Sequence, residues 1–267
     1  MSRVQALPGT VRAAPWSATQ WCAYYRANAQ RLLPIPWHWG AQLTEVERDA
    51  VAASIQDFQL GESSEGRNLL DRAAAYAEQN GDPDYLEAMR LFVGEEQRHA
   101  AVLGRYLDLA GIPRLQHSRL DGAFRRLRRL AGLETAIGVL LTAETVGKVY
   151  YIALRRATRC PLLRRICDQL LRDEVQHMRF HAERLALLRR ERLRWRVRLA
   201  HGWHRMLFSG TCLLVWGKHR CALRAGGFDL RSFWRACWQQ MHRVLGMMAP
   251  HGAGLATRVQ PREVSVA

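Results

Sequence analysis

The order acid, acid, x, x, His occurs twice in this chain, as "EEQRH" from Glu95 to His99 and as "DEVQH" from Asp173 to His177. Each copy lies in a long stretch with helical apolar spacing, and that combination narrows the possible folds sharply. In a helix, positions i and i+3 share a face. Glu96 with His99, and Glu174 with His177, therefore each project a carboxylate and an imidazole in one direction. A carboxylate on an apolar face is not buried alone, because an uncompensated charge in a low-dielectric interior costs several kcal/mol. The two segments must meet each other, or meet something that carries positive charge.

Punctuation along the chain says how they can meet. Residues 1 to about 16 read as a loose leader, and a short amphipathic helix follows from Ser17 to about Leu33, closed by "PIPW". Thr44 and Glu47 form a capping box at the start of a first long helix, expected to run to about Asn80. "GDPD" breaks it, with Asp82 as N-cap and Pro83 in the first turn of a second helix that continues to about Ala110. A crossover of roughly twenty residues carries the basic piece "FRRLRRL", and loops of that length usually span something. A third helix is expected from Leu133 to Ala157, and Pro161 opens a fourth that extends to about Arg190. A basic stretch, an apolar run from Met206 to Gly217 and a last amphipathic helix from about Asp229 to Leu245 follow, with a tail from Pro250 expected to be disordered.

No strand alternation is sustained, so the fold class is all-α. Two long hairpins joined by a crossover describe a four-helix bundle with extra N-terminal and C-terminal helices. The expected divisions are 1–43 for the leader and short helix, 44–192 for the bundle, 193–249 for a C-terminal helical extension and 250–267 for the tail.

The register of the two hairpins decides which acids can share a level. The first turns near Gly81, with Glu65 and Glu96 both about 22 Å from the bend at 1.5 Å per residue. The second turns near Arg159, with Glu144 and Glu174 on either side at matching distances. Glu62, one turn before Glu65, is the rival on the first helix; its distance from the bend fits worse, so Glu65 is preferred. Glu65, Glu96, His99, Glu144, Glu174 and His177 can thus converge at mid-bundle. Four carboxylates there need an internal counter-charge, and two divalent cations match it. Carboxylate with imidazole suits iron or manganese; zinc usually recruits thiolate, and calcium does not favour histidine.

These residues resemble the ligand pattern of the ferritin-like di-iron carboxylate proteins, which take one Glu from each of two helices and a Glu-x-x-His from each of the other two. The resemblance covers about residues 44 to 190, and "EEQRH" and "DEVQH" are also similar to the paired motifs of the soluble acyl-carrier-protein desaturases and di-iron oxygenases. It implies a ferritin-like bundle in which Glu65 and Glu144 are single-carboxylate ligands and Glu96, His99, Glu174 and His177 the Glu-x-x-His ligands, with Glu96 and Glu174 bridging. It implies further that Asp173 accepts the outer N–H of His99 and Glu95 that of His177. His181, one turn past His177, is a seventh-ligand candidate by the same resemblance, weighed against an ordinary core histidine. Tyr150 and Tyr151 flank the site and read first as packing.

The expected cofactor is two iron ions, with a manganese/iron pair as the variant. The expected function is an O2-dependent oxidoreductase that hydroxylates, N-oxygenates or desaturates an organic substrate, with electrons from an external donor because no nucleotide-binding glycine motif occurs. Two alternatives stand beside it. One is a ferroxidase or iron-handling protein without an organic substrate, to which the long extensions add nothing. The other is a basic metal-containing protein that docks on an anionic partner.

Charge gives that last reading its weight. The chain has 40 Lys and Arg against 24 Asp and Glu, a formal net charge of +16. Such a surface attracts an acidic carrier protein, RNA or an anionic membrane surface. The stretch Trp203 to Trp216 could lay Trp and Leu on lipid with Arg198, Arg205, Lys218 and Arg220 facing phosphates, against the simpler expectation of a helix covering the bundle. A homodimer is left open. The six cysteines show no paired spacing, and no secretory signal is evident, so the expected location is cytoplasmic or peripheral at the membrane.

Overall fold

A computed structural model describes residues 14–63, 66–117, 132–190 and 192–248. All regular structure among the described residues is helical: α1 (Ala18–Ala29), a 3-10 turn (Trp37–Trp39), α2 (Glu45–Glu62), α3 (Arg67–Asn80), α4 (Pro83–Leu109), α5 (Leu133–Ala157), α6 (Pro161–Arg189), α7 (Arg194–Ala225) and α8 (Leu230–Met247). The basic crossover piece from Phe124 to Leu130, Glu65 and the tail from Pro250 lie outside the described residues.

Local chemistry sets most helix starts. Reciprocal capping boxes open α1 (Ser17 with Gln20), α2 (Thr44 with Glu47) and α8 (Asp229 with Ser232). The Asp82 side chain accepts from the Tyr85 N–H at the head of α4, and Pro83 and Pro161 occupy the first turns of α4 and α6. The expected first long helix is in fact two. Gly66 breaks it with φ of +66°, and a Cβ there would stand 2.8 Å from Val93 Cγ2, so only glycine fits both the backbone and the packing. α1 is also shorter than expected, ending at Ala29. The basic stretch and the apolar run after residue 193 are one helix, α7, with non-helical dihedrals only at His219.

α5 is the central rod. It has the length and apolarity to cross a membrane, but 83% of its most apolar window is buried within the fold. It packs on α6 on one side and α7 on another, while α2 and α3 pack on α4, and α1 lies against α4.

Two apolar clusters flank a polar layer. One cluster holds Phe92, Leu140 and Phe180, and the other holds Leu103, Val146 and Leu170. The acids and histidines of α4, α5 and α6 fall between these levels on every helix. The order of the levels shows that α4 and α5 run parallel and α6 antiparallel to both. α2 passes Val51 and Ile55 of the second cluster before reaching Glu62, so it opposes α4. The result is a helical bundle with a charged layer held between two dry ones.

Candidate metal centre

Two mirrored half-sites make up the charged layer. The outer ring nitrogen of His99, Nε2, lies 3.0 Å from Asp173 Oδ2, and that of His177 lies 2.9 Å from Glu95 Oε2. Each histidine is thus held by an acid from the opposite helix. Asn28 of α1 joins the two halves, its Nδ2 donating to Glu95 Oε1 at 2.7 Å and to Asp173 Oδ1 at 2.9 Å. Gln169 Nε2 and Arg98 also donate to Asp173 Oδ2, at 2.8 and 2.9 Å. With so many donors, the Asp173 carboxyl sits well below its ordinary range although burial opposes this, and Glu95 is lowered likewise despite burial. Both therefore remain carboxylates that accept a proton-bearing Nε2.

That choice settles the other nitrogen. With Nε2–H directed outward, Nδ1 of each ring is the nitrogen that faces the interior, and it offers a lone pair once it carries no proton. His99 Nδ1 and His177 Nδ1 are both buried without a hydrogen bond, and so are Glu96 Oε1 and Glu174 Oε2. His177 Nδ1 comes within 3.1 Å of Glu96 Oε1 without meeting hydrogen-bond geometry. Buried polar atoms are normally satisfied, and these four lie in a cluster of Glu and His side chains that could hold a metal ion.

The donor atoms cluster in overlapping groups. One atom from each of Glu96, His99 and His177 lies within 4.8 Å of the others, and the same holds for Glu62, His99 and Glu174 and for Glu144, Glu174 and His177. Glu96 and Glu174 each occur with both histidines, so they stand between the two halves. These buried Glu and His groups could hold a metal ion, and the mixed imidazole and carboxylate set is the kind that transition metals accept.

Without a cation, protons have to offset the charge. Burial drives the Glu62 and Glu174 carboxyls far above the ordinary range, and repulsion from Glu96 and Glu144 respectively adds to it. Glu96 is raised by burial and then by Glu144. Burial pushes Glu144 upward too, but His177, whose Nδ1 lies 3.8 Å from Glu144 Oε2, and the neighbouring Glu174 carboxyl hold it down to about 2. Burial would lower His177, yet Glu144, Glu95 and Glu96 drive it well above its usual value. The metal-free site is a proton-filled one in which His177 carries a charge that a ligand nitrogen would have to give up.

The structure brings together Glu96, His99, Glu144, Glu174 and His177, with Glu95 and Asp173 behind the histidines. On α2 it is Glu62 that reaches the layer, where Tyr151 O–H donates to Glu62 Oε1 at 2.6 Å. The Gly66 break interrupts the continuous helix along which the register of Glu65 is counted, and Glu65 itself lies outside the described residues. Tyr150 stacks on Phe58 at 3.5 Å between ring centroids. His181 has neither ring nitrogen paired, packs edge-on against Phe92 at 4.5 Å, and is held neutral by burial with its pKa lowered to about 4. It belongs to none of the converging groups. Asn28 and Gln169 were not singled out from the sequence, and nothing local marks them: their role depends on where α1 lands and on the i, i+4 relation of Gln169 to Asp173. Access is one-sided. Glu96 keeps 16% of its side chain exposed and Glu62 is half-buried, whereas Glu174 and both histidines are enclosed, so solvent reaches the layer from the α2–α4 edge.

No protein-family description, curated protein or solved structure matches this chain, so geometry and chemistry carry the functional reading.

Proposed function

We propose that the protein is an O2-dependent oxidoreductase with a di-iron carboxylate centre in a ferritin-like four-helix bundle, oxidising an organic substrate with electrons from a separate donor. The observation that carries this reading is the mirrored pair of histidines, each held through Nε2 on a carboxylate, with His99 grouped with Glu62, Glu96 and Glu174 and His177 with Glu96, Glu144 and Glu174. Glu62 and His99 would serve one ion, Glu144 and His177 the other, with Glu96 and Glu174 shared. Bound iron(II) supplies the electrons with which O2 is activated.

The chain's own contribution is positioning and exclusion. Asp173 and Glu95 fix both imidazole tautomers, and ligand orientation of this kind typically alters metal affinity 10- to 100-fold. Asn28 ties those carboxylates together, so the two halves cannot rotate independently. The apolar clusters above and below keep water from the layer and strengthen every charge interaction in it. Tyr151 holds its hydroxyl proton on Glu62, the ligand nearest the open edge.

Anaerobic titration with iron(II) should load about two ions per chain, and mixing with O2 should produce a visible absorption that decays. Glu144→Ala or Glu174→Ala should abolish both. A protein that retains less than about half an ion per chain after reconstitution rejects the centre. Continuous iron(II) oxidation with iron accumulating in the protein and no organic compound consumed would replace this reading with iron handling.

A further inference from the structure

The outer face of α7 is apolar where a helix facing only water would be polar. Trp195, Leu199, Trp203, Met206, Leu213 and Leu214 are all exposed, Leu199 to 65% and Met206 to 61%. At 100° per residue these six fall within an arc of about 100°, the width of a buried stripe on an amphipathic helix. The opposite side is already used, since His204, Phe208, Cys212, Val215 and Leu223 are buried in the contact with the bundle. From Trp195 to Leu214 the stripe extends about 28 Å. Contiguous exposed apolar surface of this kind marks an interaction site.

Charge indicates the occupant. α7 contains no acidic residue. Arg194, Arg198 and Arg205 project along one flank of the stripe and Arg196 at the other edge, and none of them has a carboxylate partner among the described residues. Lys218, expected on this face, is instead turned to Asp57 of α2 at 2.7 Å, which leaves the flank to arginines with long, snorkelling stems. A second copy would set arginine flank against arginine flank, each chain carrying a formal charge of +16. An RNA would satisfy the arginines but leave Leu199, Met206, Leu213 and Leu214 in water. A bilayer with anionic headgroups offers both an acyl boundary for the whole length of the stripe and phosphates for its margins.

We infer that the exposed face of α7 is a docking surface for an anionic lipid bilayer, with the helix lying in the plane of the headgroups. The inference is independent of the metal centre. α7 packs on α5 and α2 with its other face, so the stripe is not used in holding the bundle together.

The test uses the full chain as isolated with phosphatidylcholine vesicles with and without phosphatidylglycerol. The wild type should float with the anionic vesicles, and brominated phosphatidylglycerol should quench part of its tryptophan fluorescence. Leu199→Glu with Leu213→Glu should reduce partition roughly tenfold or more on every vesicle, since two buried leucines are replaced by charges. Arg198→Gln with Arg205→Gln should reduce it roughly tenfold on anionic vesicles alone, with an effect that salt suppresses. Iron content and melting temperature should be unchanged in both pairs. Absence of flotation and of quenching by the wild type overturns the inference without any variant. So does RNA binding that the arginine pair abolishes and the leucine pair leaves intact, or a dimer that the leucine pair converts to monomer while vesicle partition stays at background.

Discussion

Five histidines are buried among the described residues, and two pairs of them, in two regions of the molecule, behave oppositely. In the charged layer, His99 and His177 hold a carboxylate on one ring nitrogen and turn the other toward further carboxylates. In the seam where α7 covers the bundle, His204 Nε2 meets Thr142 Oγ1 at 3.0 Å and His219 Nδ1 meets Ser54 Oγ at 2.8 Å. The Thr142 hydroxyl already donates to the Gly138 carbonyl, so it can only accept from His204, and the ring is a neutral donor, with burial and then the nearby Arg189 charge disfavouring its protonation. Burial lowers both seam histidines to about 4, whereas in the layer His177 is raised. Burial alone therefore says nothing about ligation. What makes a histidine a ligand is a carboxylate behind it to set the tautomer and acids in front of it that require a cation.

The largest expected effect separates the regions directly. His99→Ala or His177→Ala should remove most bound metal, whereas His204→Gln and His219→Gln should leave metal content per chain at the wild-type level by elemental analysis; equal loss from a seam variant would erase the distinction. The same contrast should appear with reversed sign in metal-free protein. Glu174→Gln removes a buried acid that has no cation to answer it, and should raise the melting temperature, by about 1–4 kcal/mol of added stability.

Next is the tie between the half-sites. Asn28→Ala leaves Glu95 and Asp173 each short of a donor, and should weaken metal binding about 10- to 100-fold with a loss of about 1–3 kcal/mol in stability. Isothermal titration and chemical denaturation read the two separately. A variant that loses stability and keeps full metal affinity would show that Asn28 only holds α1 in place.

The seam should reveal itself through pH. Above the ordinary histidine value of 6.5, His204 and His219 are neutral folded or unfolded and their ionisation costs nothing. As pH falls from 6.5 toward 4, the unfolded chain takes up protons that the folded chain refuses, and stability drops by up to on the order of 3 kcal/mol for each. Subtracting denaturation curves of His204→Gln and His219→Gln from wild type between pH 7.5 and 4.5 isolates this slope from the acids of the layer. A difference that does not change with pH would mean the rings are charged in the fold. The smallest effect is expected from Tyr151→Phe, which deletes one hydrogen bond to Glu62 and should cost about 1 kcal/mol with metal stoichiometry preserved.

Much of the scaffold was legible because it depends on near neighbours. A capping box needs residues three apart, a proline excludes itself from helix interiors, and Glu-x-x-His faces one way on any helix, so the starts at Thr44, Asp82 and Pro161 and the two half-motifs need no tertiary information. The position of Glu62 was harder. Counting from Gly81 assumes an unbroken rod, and Gly66 breaks it through a close approach to Val93, a residue 27 positions away. Lys218 was equally unreadable, because its direction follows from Asp57 on another helix.

The sequence by itself determined that the chain is helical, where most helices begin, and that two acid-histidine pairs lie on apolar faces, since each of these follows from spacing within a few turns. The pairing of Asp173 with His99 and of Glu95 with His177, which the resemblance implied, is made by the packing of α4 on α6, and tertiary structure alone decided that Asn28 spans the two acids and that Glu62 is the acid of α2 in the layer. Those choices join residues 67 to 145 positions apart, and at such separation only the packing of one helix on another sets which side chains meet.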